Sequence, residues 1–196
     1  GARKYQSHNI EVHKSWLDRP YKPGTGDGSD PHYNNDFFGG DLEGIIQKLD
    51  DIKDLGANAI YMTPVFKAAS NHKYDTADFH EIDPAFGTNA DFTRLTQEAA
   101  KRGIRVIPDA SLNHVGADSK YFDRFGNFKS EGLGAFADNR IQTNSPYASW
   151  FTLDATQTDP DKQFKGWVGV ADLPELNKNS AGWRQFAYGD KDSVTR

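Results

Sequence analysis

A group of polar side chains follows a short strand near the middle of the chain, and its residue types suit chemistry. Residues 104–107 are mostly β-branched and predict a strand, and Asp109, Asn113 and His114 come just past its end. In a parallel sheet fed by helices, ligands bind at the carboxyl ends of the strands. A carboxylate, an amide and an imidazole there could hold a polar substrate or a hard cation. Asp and Asn are also common turn formers, so the triplet alone favours a functional role only slightly.

Two successive helix–strand units would position this triplet. Residues 41–55 carry apolar side chains at helical spacing, and a mostly apolar strand follows at residues 58–63. A second helix, beginning at residue 88 or 89 and ending at Gly103, precedes the strand at residues 104–109. Near-continuous apolar strands that alternate with helices predict parallel strands in an α/β sheet.

Three stretches lack this alternation. Residues 1–36 are punctuated by Pro and Gly and predict irregular structure, and residues 64–87 predict a long polar loop. Residues 115–177 predict a small irregular subdomain inserted after the second strand. A final helix is predicted at residues 180–188, with Gly189 as its stop.

The composition excludes several classes of function. The chain has 196 residues and a formal charge of −5, and its Lys and Arg residues form no stripe, so a nucleic-acid partner is not expected. No apolar stretch approaches the roughly 20 residues that a membrane-spanning helix needs, so no membrane partner is expected either. The absence of cysteine rules out disulfides and thiolate metal sites, but it does not fix the compartment. No Gly-rich phosphate loop follows either strand, which disfavours a doubly wound nucleotide-binding domain.

Five motifs occur in a fixed order along the chain. They are the segments at residues 37–42, 58–64, 70–76, 109–114 and 173–177. Together they resemble the α-amylase family of glycoside hydrolases, closest to its neopullulanase, cyclomaltodextrinase and amylopullulanase branch. The resemblance covers residues 37–196 and implies an α/β fold, part of a (β/α)8 TIM barrel with an irregular domain B inserted after strand 3.

The resemblance also implies domain limits. Residues 1–36 would follow a missing first barrel strand, residues 37–114 would form barrel elements, residues 115–177 domain B, and residues 178–196 the return toward the fourth strand. The family places its nucleophilic Asp on the fourth strand and its acid/base Glu on the fifth. We therefore expect an internal piece of a larger enzyme, with no catalytic carboxylate of its own and with the remainder of the polypeptide as its partner.

The resemblance assigns substrate-side roles to four residues. Tyr74 is similar to the aromatic residue that stacks under the sugar beside the scissile bond, and Asp75 would orient the loop or a sugar hydroxyl. Asp109 would give electrostatic support by pairing with an arginine beside the nucleophile. His114 would hydrogen-bond a hydroxyl of the same sugar, because a neutral imidazole can both donate and accept.

The implied activity is hydrolysis of α-1,4 bonds, with α-1,6 bonds as a further candidate, in starch, pullulan or maltodextrins, with retention. Domain B would wall one side of the cleft, where Trp167 and Trp150 either stack on sugar or pack in the core. A non-catalytic carbohydrate-binding or structural fragment is the alternative. A secreted or cell-surface bacterial enzyme is slightly favoured over a cytoplasmic one.

Calcium is the only cofactor that the resemblance suggests, and its role would be structural. The branch binds calcium through a Gly carbonyl and the Asp of a Gly-Gly-Asp-Leu motif, which correspond to Gly39 and Asp41 here. Asp41 could instead serve only as a helix N-cap, or as both. Asn113 matches a calcium ligand of other family members, although that second site is often absent in this branch.

Two residues depart from the family pattern. Pro108 stands where an aliphatic residue is usual, and because proline lacks a backbone donor we expect the third strand to bend or end there, which affects the placing of Asp109. Phe79 stands where tyrosine is common.

Overall fold

The computed structural model describes residues 4–5, 8–20, 35–189 and 193–195. The chain divides into two compact units. The first comprises Gly1–Lys73 and Glu81–Asp109, and the second comprises Tyr74–His80 and Ala110–Arg196. The predictions for residues 21–34 and 190–192 lie outside the described residues, and the domain limits drawn from the sequence stay a prediction.

Two parallel strands form the centre of the first unit. Strand β5 (Ala59–Met62) pairs with β8 (Arg105–Pro108), and Ala59 lies opposite Arg105. Alternate strand residues face a core built with the helices: Leu42, Leu49, Val65, Ile82, Leu95, Ala99 and Ile104 are buried, and Ile60, Met62 and Val106 pack against them. The prediction of parallel strands that alternate with helices is confirmed.

The helix predicted at residues 41–55 is present in two pieces. Helix α1 (Leu42–Gln47) and helix α2 (Leu49–Asp54) are separated by Lys48, whose backbone N–H donates to the Ile45 carbonyl three residues back at 3.0 Å. An i→i−3 bond tightens the turn and interrupts the regular α-helical pattern. Helix α3 (Asn89–Lys101) begins with a capping box formed by Thr88 and Asp91.

Pro108 does not disturb the strand that precedes Asp109. In β8 the residue pairs with Met62, and the Asp109 N–H donates to the Met62 carbonyl at 2.8 Å. Because the Arg105 and Asp109 N–H groups both point toward β5, the missing donor at Pro108 falls on the opposite side of the strand. Strand β8 ends at Pro108, which is one of the two outcomes expected there, and the Asp109 N–H still bonds to β5.

The loop predicted at residues 64–87 contains two strands, so that prediction is wrong. Strand β6 (Phe66–Ala68) and strand β7 (Thr76–Ile82) form a two-stranded sheet. Between them Lys73 is fully buried in the first unit, with its Nζ 2.8 Å from Asp83 Oδ2 and 3.0 Å from the Ala68 carbonyl oxygen.

Short strands also occur in the N-terminal segment predicted to be irregular. Strands β1 (Lys4–Tyr5) and β2 (His8–Asn9) are antiparallel, whereas β3 (Glu11–Val12) runs parallel to β4 (Asp36–Phe37). Next to this parallel pair, His13 Nε2 lies 2.8 Å from Asp36 Oδ1, and the His13 ring stacks on Phe38 at a centroid distance of 4.2 Å.

An aromatic core holds the second unit together. Its rings come from β7, the segments that follow residue 115 and helix α4 (Ala181–Tyr188), namely Phe79, Tyr121, Trp150, Trp183 and Phe186. Asp78 anchors this core, because it binds Lys120 Nζ at 2.5 Å and accepts from the Tyr121 hydroxyl at 3.2 Å. Helix α4 ends at Gly189, as predicted, and the Ser180 side chain caps its start. Within the described ranges, no helix is both long and apolar enough to cross a membrane.

Candidate functional site

His114 contacts two other residues that were predicted to bind substrate. It is 3% exposed, and its Nε2 lies 3.1 Å from the backbone carbonyl oxygen of Tyr74. Because a carbonyl oxygen only accepts, Nε2 carries the proton in this hydrogen bond. The His114 ring stacks on Trp167 with a centroid distance of 4.7 Å and an interplanar angle of 24°. The structure thus brings Tyr74, His114 and Trp167 together within the second unit.

Backbone pairing fixes the position of His114. The residue forms an antiparallel bridge with Glu175, and on either side of it the Leu176 N–H donates to the Asn113 carbonyl at 2.9 Å and the Val115 N–H donates to the Pro174 carbonyl at 3.2 Å. The imidazole is therefore held by a ladder that runs along the motif at residues 173–177.

Asp75 lies in a buried part of the same unit. It is 8% exposed, and the next residue accepts a hydrogen bond from the Gly116 N–H at 3.0 Å through its carbonyl oxygen. A Cβ at Gly116 would lie 2.6 Å from the Asp75 carbonyl oxygen, which is too close for any side chain. Glycine at position 116 is thus what allows the segment after His114 to pack on the backbone of Asp75.

A second carboxylate, Asp118, lies near Asp75. Burial raises the pKa of Asp118, and the negative charges of Asp123 and Asp75 raise it further, whereas a hydrogen bond from Asn127 opposes this effect. The Asn127 Nδ2 donates to Asp118 Oδ1 at 2.9 Å. Desolvation and like charge disfavour the ionised form of this carboxyl group.

Asp109 belongs to the first unit, at the end of β8. Its carboxylate accepts a hydrogen bond from the Tyr61 hydroxyl, which raises the pKa of Tyr61. Tyr61 is 66% exposed on the face of β5 that the helices leave open. The electrostatic role expected for Asp109 stays a prediction.

Gly39 and Asp41 lie at the start of α1, also in the first unit. Gly39 is exposed with a φ of 79°, and Asp41 Oδ1 accepts from the Gly44 N–H at 2.8 Å. The N-cap role of Asp41 is therefore confirmed. Its role as a calcium ligand, and that of Asn113, stay predictions.

The two candidate tryptophans occupy different environments. Trp150 is 5% exposed and its ring lies 5.3 Å from the rings of both Tyr121 and Trp183, so it is a core residue. Trp167 is 37% exposed and lies in a hairpin that the sequence did not predict. Gly166 and Gly169, which flank a short apolar run, were the signal for this hairpin.

The sequence profile of the α-amylase catalytic domain matches residues 16–185. The chain belongs to the α-amylase family. It is 40% identical over 202 residues to an amylopullulanase from Thermoanaerobacterium saccharolyticum, which covers 95% of this chain and 15% of that protein. It is also 41% identical over 143 residues to an intracellular maltogenic amylase from Bacillus subtilis, covering 73% of this chain and 22% of the relative.

Solved structures of α-amylase-family enzymes show the same fold. A cyclic α-maltosyl-(1→6)-maltose hydrolase from Arthrobacter globiformis superposes with a TM-score of 0.63 at 36% identity, covering 78% of this chain and 32% of that chain. The type III pullulan hydrolase from Thermococcus kodakarensis gives 0.65 at 33% identity, covering 82% and 26%. The predicted fold class, part of a (β/α)8 barrel with an irregular domain B, is confirmed. The chain spans only 15% of the length of the T. saccharolyticum amylopullulanase.

Proposed function

We propose that this chain is part of an enzyme that hydrolyses α-glucosidic bonds in starch, pullulan or maltodextrins by double displacement with retention. The proposed bonds are α-1,4 linkages, with α-1,6 linkages as a further candidate. Relatives named amylopullulanase and cyclomaltodextrinase support this substrate class, as does a neighbouring structure solved in complex with maltose. The observation that carries the proposal is the contact of His114 with both the Tyr74 backbone and the Trp167 ring.

The chain supplies substrate-side groups in this proposal. Tyr74 is 37% exposed, so its ring can pack against the apolar face of a pyranose. His114 holds the Tyr74 carbonyl and so positions that ring, in addition to the hydroxyl contact that the family resemblance implies. Trp167 offers a second exposed aromatic surface next to the imidazole.

The residues of this chain that match the family motifs do not include its nucleophile or its acid/base residue. Retaining hydrolysis needs two carboxyl groups about 5 Å apart, one as nucleophile and one as acid/base. Asp75 and Asp109 are each assigned to orientation or electrostatic support. The proposed reaction therefore requires residues of the longer polypeptide.

Structural calcium near α1 is a further part of the proposal. The helix cap uses one carboxylate oxygen of Asp41, and a cation can be bound by the other, so capping and binding are compatible. Together with the Gly39 carbonyl this supplies two of the 6–8 oxygens that Ca²⁺ usually takes, and Asn113 is a weaker candidate ligand elsewhere.

The direct test uses the complete polypeptide that contains this chain. Maltoheptaose and pullulan are incubated with the purified enzyme, and the anomeric form of the first product is read by NMR. Release of the α-anomer supports the proposal. Binding without hydrolysis would favour the non-catalytic carbohydrate-binding alternative, and absence of both binding and hydrolysis would contradict the proposed function.

A further inference from the structure

The tip of one hairpin in the second unit exposes three apolar side chains. Strands β9 (Gly166–Trp167) and β10 (Val170–Pro174) are antiparallel with Trp167 opposite Val170, so Val168 and Gly169 form a two-residue turn. Trp167 is 37%, Val168 76% and Val170 41% exposed. We call residues 167–170 the hairpin tip.

Val168 is an unfavourable residue for this turn. Its φ is +46° and that of Gly169 is +82°, which is the backbone of a hairpin turn that favours Asn-Gly or Asp-Gly. A β-branched side chain in the left-handed region is strained, and the same side chain is exposed to water. Because neither turn geometry nor burial accounts for valine here, the strained residue points to a function.

The hairpin tip is firmly anchored and continuous with the candidate site. A Cβ at Gly166 would lie 2.3 Å from the Val170 carbonyl oxygen, so the two strands approach as closely as glycine allows. Lys165 Nζ bonds Glu175 Oε1 at 2.8 Å at the base, and Trp167 stacks on His114. Val168 follows Trp167 directly in the chain, so the hairpin tip adds an exposed apolar residue next to the one that stacks on His114.

We propose that Val168, together with Trp167 and Val170, forms an apolar platform for the C–H face of a glucose residue next to the sugar that His114 contacts. This inference rests on the proposed function. Pyranose rings present C–H groups on their faces, and aromatic and isopropyl surfaces remove these groups from water on contact. The platform keeps valine at a position where asparagine would make a more stable turn, which trades stability for substrate binding.

The test replaces Val168 in the complete polypeptide and measures stability and kinetics together. Val168→Asn is expected to raise the melting temperature, because asparagine tolerates positive φ, and to raise KM for maltoheptaose about fivefold with kcat unchanged. KM for 4-nitrophenyl α-glucoside, which has a single glucose residue and so cannot fill the neighbouring position as well, is expected to stay unchanged. Val168→Leu keeps an apolar side chain and is expected to retain the KM for maltoheptaose. Val12→Asn, at a 67% exposed valine of β3, is the control for surface polarity.

Each other outcome overturns the platform. A higher melting temperature with an unchanged KM for maltoheptaose shows that Val168 makes no sugar contact, while wild-type hydrolysis leaves the proposed function standing. A lower melting temperature would show that the rise in KM comes from disruption of the hairpin. An equal rise of KM for both substrates would show that Val168 does not contact the neighbouring sugar. If wild type neither binds nor hydrolyses either substrate, the proposed function fails and the platform fails with it.

Discussion

At the scale of single residues, His114 contacts two neighbours, and its replacement by a smaller residue would remove both contacts. His114→Ala deletes the hydrogen bond to the Tyr74 carbonyl and the stacking surface under Trp167. In the complete enzyme we expect kcat/KM for maltoheptaose to fall about 5- to 150-fold, which corresponds to about 1–3 kcal/mol of transition-state stabilisation. His114→Asn retains a donor for the carbonyl, so its melting temperature should stay closer to that of wild type.

Steady-state kinetics and thermal melts of these variants check that expectation. Phe125→Ala is the matched control, since Phe125 is an exposed aromatic residue of the same unit. An unchanged kcat/KM for His114→Ala would refute the assigned role.

Asp118 is a residue whose charge opposes folding near neutral pH. Its folded pKa is raised by burial and by Asp123 and Asp75, so the folded state holds its proton more tightly than the unfolded chain does. Stability is therefore lost as pH rises from the ordinary carboxyl range through the raised pKa. We expect Asp118→Asn to stabilise the protein near pH 7, and the gain to vanish as pH falls.

Denaturant titrations of wild type and Asp118→Asn across this pH range provide the measurement. Asp54→Asn makes the same change of charge at an exposed helix position and is the control. A gain that does not depend on pH would contradict the argument.

His13 should contribute stability with a pH dependence of the same sign, in a higher pH range. The hydrogen bond to Asp36 raises the pKa of His13, and the charges of Asp36, Glu11 and Asp18 add to this effect against desolvation. The contribution is complete below the ordinary histidine pKa and is lost as pH rises through the raised value. We expect His13→Gln to lower the melting temperature more near pH 5.5 than near pH 8.5. An Asp36→Asn background should abolish this difference, and if the difference persists there, the pair is not its source.

At the scale of secondary-structure elements, the turn between β6 and β7 depends on one buried ion pair. The side chains of Lys73 and Asp83 are 1% and 0% exposed. Lys73→Met leaves the Asp83 carboxylate buried without its cation, so we expect a loss of about 3–5 kcal/mol in the free energy of unfolding. The double variant Lys73→Met/Asp83→Asn removes both charges and should recover most of that loss.

The neighbouring ion pair of the same two strands is the control. Lys67 and Glu81 are bonded at 2.8 Å but are 28% and 51% exposed, so Lys67→Met should cost no more than about 1 kcal/mol. Similar losses for Lys73→Met and Lys67→Met, measured by urea unfolding, would contradict the assignment.

Local patterns predicted the elements of the first unit well and missed those that depend on distant contacts. The helices and β5 were predictable because the spacing of apolar residues and helix caps such as Thr88 depend only on residues that are close in sequence. Strand β7 was missed because the side-chain partners of its buried residue Asp78 are distant in sequence: Lys120 and Tyr121 lie 42 and 43 positions away. In the candidate site, Tyr74 and His114 followed from the family motifs, whereas Val168 lacked the Asn-Gly pattern that marks a hairpin turn.

At the scale of the whole molecule, the matched segment is a small part of its relatives. It covers 15% of the amylopullulanase from T. saccharolyticum. We expect the 196-residue polypeptide by itself to show no glycosidase activity, because no residue in it matches the nucleophile or the acid/base of the family. Reducing-sugar assays on maltotriose and pullulan, with the complete enzyme as positive control, test this. Activity that persists through repeated purification would refute it.

The discontinuity of the second unit has a consequence for synthesis and for recombination. Tyr74–His80 leaves the ribosome before residues 81–109, but Lys120 and Tyr121, which bind its Asp78, emerge only after them. The strand cannot form these bonds until Lys120 and Tyr121 have been synthesised, so the second unit folds late and through non-local contacts.

A gene cassette that starts at codon 110 would not encode this strand. Exchange of this unit between homologous enzymes therefore requires a second graft that carries codons 74–80.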